Sequence, residues 1–240
     1  MYEQRTYRHD VKDRDLVSFQ AAVKETDLYI CACRDLSAEA VTAINEVRGP
    51  LEGYIREHPI FLHSLEPLPV DRHAPEVVRR MQQAARPAKV GPMAAVAGAV
   101  AQMVGEKLLH SSPEIIVENG GDIYLKVSRK RVVAIYAGES AFSGKLAIEV
   151  APDRTPLGIC TSSGKVGPSL SLGIADAAVV VAPSAALVDA AATAVGNEVK
   201  SVDDVDAALE IGRRIKGVSG IVVIAGSNLG VWGDIRLLNM

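Results

Sequence analysis

From Glu114 to Cys160 the chain is written in short β-branched stretches parted by turn residues, at 114–118, 123–127, 132–137, 145–150 and 157–160. Such a run predicts consecutive antiparallel strands, and it commits this part of the chain to a sheet. Further strands are expected at 27–33, 177–182, 220–225 and 231–237, the last two joined through 226–230. The intervening segments carry helical spacing. Ser37 is a candidate N-cap for an amphipathic helix bearing Ala40, Val41, Ile44, Val47, Leu51 and Ile55, which Gly49-Pro50 kinks or divides and His58-Pro59 ends. The Pro-rich stretch 59–75 reads as a loop able to cover a site, and a short helix follows at 75–85. Pro92 opens an Ala-rich helix to about Leu109, whose small side chains permit close backbone packing. Helices at 184–195 and 201–215 follow, the second capped by Ser201 with Asp203, Asp204 and Asp206 in its first turns. Strands and helices segregate into groups, which indicates an α+β chain of antiparallel sheets packed against helices. Both halves can be read as strands, two helices, then strands, so a duplicated unit is an open possibility.

At 240 residues, with 48% in the apolar set, the chain suits one compact unit or two fused lobes, 1–128 and 129–240. Aromatics make up only 4%, so Ala, Val, Ile and Leu must build the core. Lys and Arg total 26 against 29 Asp and Glu, and neither half has the basic excess that nucleic acid or an anionic membrane would call for. The charged opening, Met1 to Asp10, is unlike an export signal, and no apolar stretch is long enough to span a membrane. A cytoplasmic protein is expected. Cys31, Cys33 and Cys160 are an odd number, which points to free thiols rather than a disulfide framework. Cys31 and Cys33 read as small buried thiols on one face of a core strand, and His58, His63 and His73 as solvated, since their spacing matches no compact zinc motif.

Three loci carry residues suited to chemistry. Asn119-Gly120-Gly121-Asp122 makes a favoured hairpin turn; the same missing Cβ atoms would let a ligand approach the backbone while Asn119 and Asp122 hydrogen-bond to it. Cys160 to Ser171 is the densest run of small polar residues. Its Thr161, Ser162, Ser163 and Gly164 could cradle a phosphate with Lys165 as counter-charge, or form a surface loop, and the spacing is not that of a P-loop. Asp189 and Thr193 stand four apart and share one helix face, where they are either a solvated polar pair or two hard oxygen ligands for magnesium. Cys160, beside the polar run, is the candidate reactive thiol.

The order of these loci resembles the ApbE-like superfamily, whose best-known members are magnesium-dependent FAD:protein FMN transferases. Asn119 to Ile123 looks like its Gly-Gly-Asp element, Thr161 to Gly164 like its Thr-Ser-Gly loop, and Asp189 to Thr193 like its metal-binding Asp-Ala-x-x-Thr helix. Gly91 to Gly98 stands where the family has a Gly-rich helix start whose backbone carbonyl also reaches the metal. The chain is most similar to the small, soluble branch of that superfamily. The resemblance implies a duplicated T-fold-like architecture, Mg2+ on Asp189 and Thr193, and FAD, FMN or another nucleotide diphosphate in a pocket formed by Asn119 to Asp122 and Thr161 to Gly164.

The chain also departs from the pattern. The family's His-containing segment ending in Asp-Pro-x-x-Gly is absent, no histidine follows His110, and Met93-Ala94-Ala95 replaces the family's Lys-Gly. Fold and metal helix therefore transfer better than the FMN-transfer reaction, since function resides in the site. Three readings follow: a magnesium-dependent transferase, a non-catalytic nucleotide-binding module, or a sulfur-assimilation factor (homocysteine synthesis) using a free thiol. A small-molecule partner is common to them, and a homo-oligomer is left open.

Overall fold

The strands at Ala177–Ala182 and Gly220–Ala225 have no polar face, and every residue in them is buried. A strand of that kind is stable only when both faces of its sheet are covered. A computed structural model, which describes residues 15–164 and 172–240, shows how this is done. Its elements run β1 (Val17–Val23), β2 (Thr26–Ala32), α1 (Ser37–Glu57), α2 (Ile60–His63), α3 (Glu76–Ala88), α4 (Val96–Leu108), β3 (Ile115–Asn119), β4 (Asp122–Lys126), β5 (Arg131–Ala134), β6 (Leu146–Val150), β7 (Leu157–Ser162), β8 (Ala177–Ala182), α5 (Ala185–Glu198), α6 (Val205–Arg213), β9 (Gly220–Ala225), β10 (Asn228–Gly233) and β11 (Arg236–Asn239).

Eight strands form one sheet in the order β1-β2-β3-β4-β7-β8-β9-β10, each antiparallel to its neighbours. A second, three-stranded sheet has the order β11-β6-β5. One face of the large sheet carries the helices, and Ala178, Val180, Ile221 and Val223 point into that core. The alternate residues Ala177, Val179, Val181, Val222 and Ile224 point the other way, against Ile135, Leu146, Ile148 and Val150 under the small sheet. This is the period-2 alternation of a strand applied between two cores. Four-strand units, β1-β2-helices-β3-β4 and β7-β8-helices-β9-β10, lie side by side and join at the β4–β7 pair. The expected α+β architecture of antiparallel sheets packed against helices, with its internal duplication, is what the chain adopts.

Several local expectations need correction. The strand β1 was hidden in a mixed opening, because its outer residues are exposed and polar. Pro50 does not divide α1, which runs unbroken for 21 residues with Pro50 at the exposed surface. Ser37 is the first helical residue rather than the cap; its N–H and Oγ–H both donate to Asp35 Oδ1, at 2.8 and 2.5 Å. Pro92–Ala95 forms a 3-10 turn ahead of α4, and α3 continues to Ala88 through Pro87. The stretch 231–237 belongs to two strands in different sheets, parted at Gly233, and residues 226–227 alone make the preceding turn. Cys31 is buried as expected, whereas Cys33 lies past the end of β2 and is exposed. His58, His63 and His73 are exposed, as the spacing implied.

Candidate functional site

The seam between the two four-strand units gathers most of the sequence-derived site residues. In the β3–β4 hairpin Asn119 pairs with Asp122, and Gly120 and Gly121 form a two-residue turn with φ of 68° and 102°. Two successive positive φ values are what a tight hairpin matching the strand twist requires, and glycine adopts them without strain. Glu118 Oε1 accepts the Gly121 N–H at 2.8 Å, and Asn119 Nδ2 donates to Ala97 O at 3.1 Å, which ties the turn to the start of α4. Across the seam Asp122 pairs with Cys160 of β7, and a Cβ on Gly121 would lie 3.9 Å from Thr161 O.

The helix α5 reaches the same place from above. Asp189 Oδ2 accepts the Gly98 N–H at 2.8 Å, and the Ala97 N–H also donates to this carboxyl. The helices approach so closely here that a Cβ on Gly98 would sit 2.2 Å from Ala185 O and 2.8 Å from Asp189 Cβ. The expectation of close packing along the Ala-rich helix is met at Gly98. Thr193 follows Asp189 by one turn on the same face, and three residues on, Gly196 abuts Ser162, whose Oγ would lie 3.3 Å from an added Cβ.

Electrostatically the seam is acidic. Surrounding protein pushes the Asp189 carboxyl up to about 7, against which the Gly98 and Ala97 amides pull down. Among the described residues no Lys or Arg pairs with it. Cys160 is fully buried and lies between the two acids; burial first, then the carboxylates of Asp122 and Asp189, push its thiol well up, and Sγ donates to Ala185 O at 3.6 Å. A thiol so placed stays protonated. Asn119, Asp122, Ser162, Asp189 and Thr193 keep partial exposure, so the cluster opens to solvent, whereas Thr161 pairs with Val179 and lies on the small-sheet face of β7.

The remaining part of the polar run is anchored at its near end. Gly164 N–H donates to Ala175 O at 2.9 Å, and Ser163 Oγ lies 3.5 Å from the same oxygen. Lys165 and residues to Ser171 lie outside the described residues. A groove of about 390 Å³ between α1 and the end of α4, lined by Glu39, Glu46, Lys107 and His110, involves none of these side chains.

Asp189 and Thr193 offer hard oxygen donors, and the absence of a basic partner for the Asp189 carboxyl suits a cation. No group of three or more His, Cys, Asp or Glu placed to hold a metal occurs among the described residues, so waters or a ligand's phosphates would have to complete a magnesium shell. The sequence reading gave Glu118 and Ala97 no role of their own and missed Gln102, whose partners lie on another helix.

A family profile described as "AbpE bacteria" matches residues 8–236. The chain belongs to this ApbE-like family. Similar curated relatives, both named "UPF0280 protein", include one from Methanocella arvoryzae, 42% identical over 212 residues, covering 88% of this chain and 86% of the relative, and one from Methanosarcina acetivorans, 41% identical over 216 residues, covering 89% and 85%. The fold of this ApbE-like chain is similar to that of the Pseudomonas stutzeri flavinyl transferase ApbE, with a TM-score of 0.57 at 13% identity over 90% of this chain and 93% of the other. The Thermotoga maritima ApbE protein gives 0.55 at 10% identity over 91% and 96%. At such identities the likeness is one of fold. No helix among the described residues is long and apolar enough to cross a membrane.

Proposed function

We propose that the protein binds a flavin or another nucleotide diphosphate together with Mg2+ at the seam between its two four-strand units. The observation that carries this reading is the Asp189 carboxyl, enclosed against the start of α4 with no basic partner among the described residues, one turn from Thr193 and, like Asp122 of the hairpin strand, beside Cys160. The structurally similar proteins named as flavin transferases support the ligand class. Asp189 and Thr193 would hold the ion. Bound there, magnesium would neutralise the charge of a pyrophosphate. Gly120 and Gly121 let a ligand approach the backbone, Asn119 holds the turn to α4, and Ser162, on the helix side of β7 against Gly196, offers a hydroxyl donor to a phosphate oxygen.

A binding module without group transfer is the version the residues favour. Cys160, the candidate nucleophile, is sealed and kept protonated, which weighs against thiol-based sulfur chemistry as well, and the family's His segment is missing. We expect calorimetry to show FAD, FMN or ADP binding that depends on Mg2+, and Asp189→Ala to abolish the Mg2+-dependent thermal shift. With FAD, Mg2+ and an acceptor peptide, mass spectrometry should find the peptide unmodified. Covalent FMN on the peptide would establish a transferase instead, and a wild type that binds none of the three nucleotides refutes the reading.

A further inference from the structure

One helical turn from the Gly98–Asp189 contact, α4 and α5 share a second polar clasp. Gln102 turns its Oε1 to the first turn of α5, where it accepts from Ala185 N–H at 2.9 Å, Ala186 N–H at 3.4 Å and Ser184 Oγ–H at 3.3 Å. Those amides have no partner within their own helix, and of the first-turn amides of α5 the Ser184 Oγ accepts from the Leu187 N–H, at 3.3 Å. The helix is thus capped from its neighbour. The other end of the amide is fixed too: Nε2 donates to Glu106 Oε1 at 2.9 Å, and Arg80 Nη1 donates to Glu106 Oε2 at 2.7 Å while its Nη2 donates to Glu76 Oε1 at 2.6 Å.

The geometry of the pair is reciprocal. Going from Gly98 to Gln102 along α4 is one turn, and going from Asp189 back to Ala185 along α5 is one turn, so the two helices run antiparallel with matched contacts. Backbone contact at Gly98 sets how near the axes come. Non-directional contact between small side chains leaves the register along the axis to directional hydrogen bonds. The Gln102 amide at the end of α5 supplies them.

We propose that Gln102 is a positioning residue: by capping α5 from α4 it fixes the axial register in which the Asp189 carboxylate meets the amides at the start of α4, and with it the cation site. The second clause rests on the function proposed above; the first does not.

The test uses the full chain and keeps the two apart. Amide hydrogen exchange at Gly98, followed by NMR without metal, reports the Asp189 contact directly, and Mn2+ binding followed by paramagnetic resonance reports the cation site. Against wild type stand Gln102→Met, which keeps bulk but loses both hydrogen-bonding ends, the double variant Gln102→Glu with Glu106→Gln, which keeps the acceptor oxygens and reverses the donor and acceptor of the 102–106 pair, and Val47→Ala, a core-truncating control in α1. Gln102→Met should speed Gly98 exchange relative to β8 amides by about tenfold or more and weaken Mn2+ by a similar factor, and the double variant should return both to within about threefold of wild type. Val47→Ala should lower the melting temperature with no selective effect at Gly98. If Gln102→Met does not fold, Gln102→Asn, one methylene shorter, makes the same comparison. Gly98 exchange no faster in the amide-less variant than in Val47→Ala, or no rescue by the double variant, overturns the proposal. A wild type that binds no Mn2+ overturns the cation reading and leaves Gly98 exchange to decide the role of Gln102.

Discussion

Most of the proposed function turns on Asp189, and the titration of its carboxyl has a definite sign. Its carboxyl is raised from 3.8 to about 7, chiefly by burial, so the folded chain holds that proton more tightly than the unfolded one. The stability this contributes is complete below about pH 4 and is lost as pH rises through about 7. Without metal, the wild type should therefore lose stability between pH 5 and 8 relative to Asp189→Asn, on the order of a few kcal/mol and seen as a falling melting temperature, and millimolar Mg2+ should reverse the loss in the wild type alone. A flat difference between the two proteins across that range would show that the carboxyl is not held in this way. The sequence marked Asp189, Thr193, Asn119 and Asp122 because polar residues are conspicuous in apolar or glycine-rich surroundings. It could not mark Glu118 or Gln102, ordinary polar residues whose partners are a turn amide and the end of another helix.

Helices and strands were legible where their periodicity was clean. The runs that became β8 and β9 are apolar throughout, and the alternation that directs their residues into two cores is a property of any extended chain once both faces are covered. Harder to read was α1. A proline at position 50 ordinarily ends a helix, yet the segment on either side buries Ala43, Ile44, Val47 and Leu51 on one face, and that burial outweighs one lost backbone hydrogen bond. Because Pro50 is exposed and makes no core contact, Pro50→Ala should stabilise the protein by roughly 1–3 kcal/mol, seen as a shift of the denaturant midpoint with unchanged slope. A neutral or destabilising result would mean that the proline shapes the helix in a way its packing depends on.

At the scale of the whole molecule, we expect the two four-strand units to unfold together. They share one continuous sheet through the β4–β7 pair and one helix-side core, in which residues of α4 and α5 belong to the same cluster. The chain's single tryptophan offers a probe: Trp232 on β10 packs against that core at the far edge of the second unit, whereas α1, α3 and α4 of the first supply most of the helical signal. Tryptophan fluorescence and far-ultraviolet circular dichroism should give one coincident denaturation curve. Separated transitions would divide the chain into independent lobes. The candidate site has the same dependence on both units, for Gly98, Asn119 and Asp122 come from the first, and Cys160 and Asp189 from the second.

That division across the seam has a consequence for how the protein is made. On the ribosome, a chain that has emerged only as far as β4 carries its glycine hairpin and the start of α4 but nothing to face them; the partner carboxylate arrives roughly seventy residues later, with α5. A nascent or truncated chain thus lacks half of the candidate site, and a ligand held there as proposed would be captured only by the finished molecule.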